Sequence, residues 1–209
     1  MPPVIVDTPD PGTLVVVDPL AYLPEQSTTV VIPATVTNVA AGALGPWSNP
    51  TDARLTSGNG ANITTAGAGN SNYLQCAPAP AGTYAGINDG ADITRMIVTY
   101  ETFVIRTGIN YPESALMLMG DGGRYGGGQQ GTGAIEGGWQ PFSIQMDKSF
   151  YWPGGITGAQ WKNGTFGPGF QIINSSATEA GTVQIRAVTM QVFFQNPVLA
   201  GGTLILCEA

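Results

Sequence analysis

The stretch that decides the fold runs from Trp161 to Phe194 and reads WKNGTFGPGFQIINSSATEAGTVQIRAVTMQVFF. It holds two strand-like runs, Phe166–Asn174 and Gly181–Gln195, on either side of a polar segment, Ser175–Ala180. No helical period fits these runs, and their β-branched and aromatic residues favour a pleated, half-buried surface. The stretch therefore predicts an antiparallel β-hairpin with a loop of several residues.

The second run, Gly181–Gln195, is the strongest strand signal in the chain. Its apolar residues alternate with polar ones, but the alternation shifts by one residue at Arg186–Ala187. The residues expected on the buried face are Val183 and Ile185 before the shift, then Val188, Met190, Val192 and Phe194 after it. A β-bulge lets both halves of a strand bury their apolar side across such a shift. We therefore expect a bulge at Arg186–Ala187.

The composition points to an all-β protein. The chain has 209 residues, of which 43% are hydrophobic and only 10% charged, with 30 glycines and 16 prolines. Glycine and proline are the poorest helix formers, so long helices are disfavoured. The length suits one large β-domain, or one domain with an extension.

The charge pattern excludes several classes of partner. A net charge of −7, with seven scattered basic residues, disfavours a phosphate-binding surface, so we expect no nucleic-acid partner. No apolar run approaches the roughly 20 residues that span a bilayer, and Met1-Pro-Pro does not resemble a signal peptide. The absence of histidine excludes a Cys/His zinc site. We expect no metal, no cofactor and no membrane partner.

Residues 1–33 form a distinct, proline-rich region. Seven of the sixteen prolines lie there and leave short extended pieces between them. Because proline fixes φ and lacks a donor, these pieces are not expected to be central strands. We interpret the region as an attachment arm that adds to a neighbour's sheet edge or groove, although a flexible terminus is the alternative. The candidate contacts of the arm are Val4, Ile5, Val6, Leu14, Val15, Val16 and Val17.

Residues 34–209 are predicted to form a β-sandwich. Strands are expected at Ala34–Val39, Arg54–Thr56, Asn72–Cys76, Asp92–Arg106, which is long, Ser114–Met119, Ile144–Phe150 and Thr203–Cys207. Two segments read as loops: the polar Ser57–Asn70 and the glycine-rich Gly120–Gly138, which has ten glycines in nineteen residues. Eight to ten strands without helices predict an antiparallel two-sheet sandwich. A jelly roll is the first choice and an immunoglobulin-like sandwich the second.

No catalytic constellation stands out. Asp89 and Asp92 precede a strand and could ligate calcium, but the spacing of a calcium-binding loop is absent. Two carboxylates from distant strands can meet in space and form the site of a glycosidase, but nothing in the sequence points to a particular pair. We therefore expect the protein to have no enzymatic activity. Cys76 and Cys207 are either small buried residues or a bridged pair.

Carbohydrate binding is the main alternative to a structural role. Aromatic rings suit weak, rigid recognition of a sugar. The rings that could line one face are Tyr125, Trp139, Tyr151, Trp152 and Trp161. The alternative for these residues is that they fill the core and close the ends of the sandwich.

Three short motifs stand out in the chain: Trp161–Phe194, quoted above, GPWSNPTDA at Gly45–Ala53 and GADITRMIVT at Gly90–Thr99. Together they resemble the β-sandwich modules of bacteriophage virion appendage proteins, of the head-fibre, decoration or tail-fibre type. Trp161–Phe194 is similar to their last hairpin. Gly45–Ala53, GPWSNPTDA, is similar to their opening, and Gly90–Thr99, GADITRMIVT, to one of their strands.

The resemblance implies a non-enzymatic virion protein that is assembled in the host cytoplasm. We expect a capsid decoration or head-fibre subunit, with a tail or baseplate appendage as the alternative. The implied partners are the major capsid protein or neighbouring subunits, including further copies of this chain in a homo-oligomer.

Overall fold

A computed structural model describes residues 4–7, 14–17, 22–77, 86–107, 113–120, 123–132, 138–163, 166–174 and 180–198. The strands in the first half of the chain are β1 (Val4–Asp7), β2 (Leu14–Val17), β3 (Gln26–Ser27), β4 (Thr35–Val39), β5 (Ala61–Ala66), β6 (Gly69–Asn70) and β7 (Tyr73–Ala77). Those in the second half are β8 (Asp92–Thr107), β9 (Glu113–Gly120), β10 (Gly123–Thr132), β11 (Gln140–Asp147), β12 (Gly167–Asn174) and β13 (Ala180–Gln195). The helices are a 3₁₀ turn (Pro50–Arg54), α1 (Lys148–Tyr151) and α2 (Gly158–Asn163).

Two antiparallel sheets enclose one core. The first sheet has the order β10-β9-β12-β7-β4, with β6 also on β12; the second has the order β11-β8-β13, with β3 and β5 both on the far edge of β13. From β4 onward the chain passes repeatedly from one sheet to the other, as it does in jelly rolls. The prediction of an all-β, antiparallel two-sheet sandwich is confirmed.

The strands β8 and β13 form the centre of the second sheet and pair along their whole length. Every residue predicted for the buried face of β13 is at most 2% exposed. The predicted bulge is also confirmed, because the register shifts between Arg186 and Thr189, and Ala187 has a φ of 54°. The register shifts a second time between Phe193 and Phe194. Here the extra residue is in β8, because Phe193 lies opposite Arg95 and Phe194 opposite Ile93, with Thr94 between them.

The predicted hairpin between β12 and β13 is wrong. The strand β12 lies in the first sheet between β9 and β7, and β13 lies in the second. Six consecutive residues of β12, from Gly167 to Ile172, are buried, which is typical of a strand in the middle of a sheet with both faces covered. The position that β12 would occupy beside β13 is taken by β5, whose six residues pair with Ala180–Ile185.

Both predicted loops contain strands. Ser57–Asn70 includes β5 and β6, because alternate residues of β5, Ala61, Ile63 and Thr65, are buried. Gly120–Gly138 includes β10, which pairs with β9 through backbone groups that glycine supplies as well as any residue.

Three further local predictions need correction. The residues before Leu55 form the 3₁₀ turn instead of a strand at Arg54–Thr56, and the Leu55 carbonyl accepts a hydrogen bond from Ala187 N at 2.8 Å. Two one-turn helices, α1 and α2, occupy a region where no helix is expected. A reciprocal capping box starts α2, since Gln160 N donates to Thr157 Oγ1 at 3.2 Å and Thr157 N donates to Gln160 Oε1 at 2.9 Å.

Part of the predicted arm belongs to the second sheet. Residues 22–31, here called the edge segment, run antiparallel to the second half of β13. Leu23 N donates to Asn196 O at 2.8 Å, and Val31 N donates to Met190 O at 2.8 Å. Residues 1–33 therefore do not form one separate arm, because the edge segment covers an edge of the β-sandwich.

A charged contact holds the edge segment to β8. Glu25 accepts hydrogen bonds from Thr94 Oγ1 at 2.6 Å and from Arg95 Nη2 at 2.8 Å and Nε at 3.0 Å. The guanidinium of Arg95 in turn lies 3.9 Å from the centroid of the Phe193 ring. Burial opposes ionisation of Glu25, but the Thr94 and Arg95 contacts outweigh it and hold the pKa of Glu25 below its usual value.

The bulge predicts the effect of a glycine at position 187. A φ of 54° costs alanine roughly 1–2 kcal/mol that glycine does not incur, and the greater freedom of glycine in the unfolded chain offsets about 0.5–1 kcal/mol of it, so Ala187→Gly should raise the free energy of unfolding by about 0.5–1 kcal/mol. In thermal unfolding we expect a Tm about 1–4 °C higher. The matched control is Ala66→Gly in β5, where the extended backbone should make glycine destabilising by about 0.5–1 kcal/mol. Equal losses in both variants would contradict the assigned backbone at the bulge.

The Glu25 contact predicts an acid-sensitive edge. Since the pKa of Glu25 is lower in the folded than in the unfolded chain, its stabilising contribution is present at neutral pH and is lost as the pH falls through the folded value. The pair is partly exposed, so the contribution is at most about 1 kcal/mol. Amide exchange at Leu23, Thr28 and Val31 should accelerate relative to the core below about pH 4 in the wild type. In the Glu25→Gln variant, exchange at these amides should already be faster at neutral pH and should not accelerate further in acid. If the variant and the wild type show the same dependence of exchange on pH, the Glu25 contact is contradicted.

Candidate functional site

The predicted contact residues of the arm all lie in one β-hairpin. The strands β1 and β2 pair antiparallel, with Val4 opposite Val17, Ile5 opposite Val16, Val6 opposite Val15 and Asp7 opposite Leu14. Within the described residues, backbone pairing joins these two strands only to each other. We call this element the N-terminal hairpin; it replaces the separate extended pieces that the prolines suggested.

Three of the candidate sugar-binding aromatics are core residues. Trp161, Trp152 and Tyr151 are 0%, 1% and 2% exposed. The indole Nε1 of Trp152 donates to Ile93 O at 2.9 Å, and burial, together with the nearby Asp147 carboxylate, raises the pKa of Tyr151 to about 12. These rings close the end of the sandwich and offer no face to a ligand.

Trp139 covers the outer side of the second sheet. The guanidinium of Arg186 lies 3.8 Å from its ring centroid, and the ring of Phe103 lies 5.8 Å away. Arg186 also donates to Glu101 Oε2 at 2.7 Å and to Gly58 O at 2.9 Å. The indole is thus engaged by side chains of the protein itself.

Tyr125, another candidate aromatic, lies beside a cavity in the described part of the chain. It is half-buried and packs edge-on against Phe166 with ring centroids 4.9 Å apart. The cavity beside it, here called the end pocket, has a volume of about 330 Å³. Its lining also includes Tyr22, Asp92, Lys148, Ile156, Thr157 and Gln160, together with glycine and alanine residues.

Four separate parts of the chain meet at the end pocket. Tyr22 begins the edge segment, Asp92 begins β8, Tyr125 comes from β10, and Lys148 begins α1. Backbone hydrogen bonds fix the wall after α1, since Ile93 N donates to Ile156 O at 3.0 Å and Gly158 N donates to Ala91 O at 2.8 Å. The pocket is therefore built on the ends of both sheets.

A salt bridge dominates the electrostatics of the pocket. Lys148 Nζ lies 2.8 Å from both carboxylate oxygens of Asp92. The two charges neutralise each other, so the pocket carries polar groups without net charge. Gln160 adds an amide whose oxygen is held by Thr157, leaving the Nε2 group without a partner among the described residues.

The possible calcium ligands do not converge. Asp92 is paired with Lys148, and Asp89 with Lys162. In the described part of the chain no three His, Cys, Asp or Glu residues come together as metal ligands. Cys76 is buried, which raises the pKa of its thiol, and Cys207 lies outside the described residues, as does the predicted strand Thr203–Cys207.

Three residues of the end pocket were not singled out from the sequence. Tyr22, Lys148 and Gln160 are separated by more than a hundred residues or lie on different elements, so no local spacing relates them. The one available signal was the Thr157-x-x-Gln160 capping box, which indicates a helix start and places the Gln160 side chain.

Across the described ranges, no helix has the length and apolar character needed to cross a membrane. No protein-family model matches the chain. A search of curated proteins finds no match either.

Proposed function

We propose that this protein is a non-enzymatic structural subunit of a bacteriophage virion, a capsid decoration or head-fibre protein. The N-terminal hairpin would attach it to the major capsid protein or to a neighbouring subunit, and the sandwich would form the displayed body. The observation that carries the proposal is an aliphatic hairpin whose strands, within the described residues, pair with each other and with neither sheet.

Physical chemistry favours a covered position for this hairpin. An isolated two-stranded hairpin is at best marginally stable in water. Three of its four cross-strand pairs consist of two aliphatic residues. Burying a Val, Leu or Ile side chain contributes roughly 1.5–3 kcal/mol, and since alternate residues of a strand lie on opposite faces, the four positions of one covered face supply about 6 kcal/mol or more. That is the size of contribution needed to offset the roughly 4–15 kcal/mol cost of association.

The carboxylates of the body favour a non-catalytic role. Each of the four described ion pairs joins one carboxylate to one base: Arg95–Glu25, Lys148–Asp92, Lys162–Asp89 and Arg186–Glu101. A glycosidase needs two carboxylates that face each other across the scissile bond. The observed pairs instead connect different chain segments and stiffen the body.

The division of residues 1–33 sharpens the attachment test. Deleting residues 1–21 should prevent incorporation into particles, because the hairpin is removed, while the body keeps its unfolding temperature. Deleting residues 1–31 should also destabilise the body, because it removes the hydrogen bonds of Thr28 and Val31 to β13. The measurements are copy number per purified particle, by quantitative gel or mass spectrometry, and thermal unfolding of the isolated chain.

A pair of charges provides the point-mutation version of this test. Ile5→Asp with Val16→Asp places two carboxylates directly opposite each other in the hairpin, which destabilises the pairing. We expect at least a tenfold loss of copies per particle. The control is Ile105→Asp in β8, which replaces an aliphatic residue that is 48% exposed on the body. If particles carry the chain that lacks residues 1–21 at the wild-type copy number, the attachment role is overturned.

The particle component with which the protein copurifies distinguishes a head location from a tail location. A head decoration or fibre protein should copurify with tailless capsids. A tail or baseplate appendage, the alternative, should copurify with isolated tails.

A further inference from the structure

We propose that the end pocket is a binding site for a neutral saccharide. This role is independent of the attachment role, because it uses residues of the body and none of the N-terminal hairpin. The site would recognise one sugar unit of a glycan through two tyrosines and a group of fixed polar side chains.

The walls of the pocket combine the two kinds of surface that a sugar requires. A pyranose ring has apolar C–H faces and a rim of hydroxyls, and flat aromatic rings cover such faces with little loss of conformational entropy. Tyr22 and Tyr125 supply rings on the lining, while Asp92, Lys148 and Gln160 supply polar groups. The volume of about 330 Å³ lies at the small end of the range for small-molecule sites, roughly 300–1,000 Å³.

The charge balance selects a neutral ligand. Lys148 donates to both oxygens of Asp92 at 2.8 Å, so its positive charge is already compensated. An acidic sugar or a phosphate would bring a further negative charge close to Asp92, in a protein whose net charge is −7. Hydroxyl groups can instead donate to the remaining lone pairs of the carboxylate without breaking the salt bridge.

The polar groups are held in place before a ligand arrives. The salt bridge fixes Asp92 and Lys148, and the capping box fixes the amide of Gln160 with its Nε2 group unused among the described residues. A hydroxyl oxygen is a suitable acceptor for that group. Pre-organised groups lose little entropy on binding, so even a shallow site can be selective.

Binding of the full-length protein to a glycan array tests the proposal. The array carries neutral glycans ending in glucose, galactose, mannose or N-acetylglucosamine, and acidic glycans ending in sialic acid or a sugar phosphate. We expect binding to at least one neutral terminus and none to the acidic ones. The matching free neutral sugar, titrated into the protein, should shift the NMR signals of the residues around the pocket.

Variants of the pocket locate the site. Tyr125→Ala and Gln160→Ala should each weaken binding about five- to twelvefold, since each removes a contact worth about 1–1.5 kcal/mol. The matched control is Phe150→Ala, which removes a ring that is 56% exposed and is not part of the pocket lining. Unfolding temperatures identify any variant that fails to fold; Gln160→Ala is at an exposed position, and the capping hydrogen bond that it removes should cost about 1 kcal/mol.

Removing the negative charge tests the electrostatic argument separately. Asp92→Asn leaves Lys148 without its counter-charge, so the variant should gain binding to the acidic glycans. A wild-type protein that binds no neutral glycan, or binds only acidic ones, overturns the proposal. Neutral-glycan binding that survives both Tyr125→Ala and Gln160→Ala overturns it as well, because the ligand then occupies another surface.

Discussion

The antiparallel pairing of β8 with β13 is the constraint on which the rest of the structure depends. Each strand has 16 residues, against a typical strand of 5–6, and would span about 50 Å if straight. A strand of this length can follow a small core only if it bends. The extra residues Ala187 in β13 and Thr94 in β8 form the bulges at which the strands bend. Beyond each bulge the apolar side chains again point into the core.

The length of β13 also determines how its far edge is covered. Among the described segments none runs along the whole of this edge, which is covered in pieces: β5 along the first half, Leu55 at the bulge, and the edge segment along the second half. An uncovered edge of this length would expose a row of backbone donors and acceptors to pairing with other chains. The edge segment therefore covers backbone groups of β13 that would otherwise be open to such pairing.

The buried face and the bulge of a strand could be predicted from its own sequence. The choice between distant strands that could pair with the same edge could not. The buried face of β13, its bulge and the extent of β8 follow from alternation within each strand, and all were correct. The hairpin between β12 and β13 failed because local patterning cannot tell which of two partners, β12 or β5, will occupy the same edge. The strand β10 was missed because glycines give no side-chain alternation, although their backbone groups pair normally.

The candidate site was harder to predict than the fold for the same reason. Aromatic content identified Tyr125, but Tyr151, Trp152 and Trp161 share that chemistry and are buried. Which ring reaches a cavity depends on how the ends of two sheets meet, and composition carries no information about that. The neutral salt bridge between Asp92 and Lys148 joins residues 56 positions apart, so it too arises only in the folded chain.

Tyr22 links the two proposed roles physically. It lines the end pocket, forms a bridge with Pro197, and begins the edge segment that Glu25 fastens to β8. Only five residue steps separate it from Val17, the last residue of the N-terminal hairpin, so covalent geometry keeps the two within about 18 Å. If the hairpin is seated in a partner, the pocket must therefore lie close to that partner. A saccharide bound in the pocket would then also have to fit the space left beside that partner.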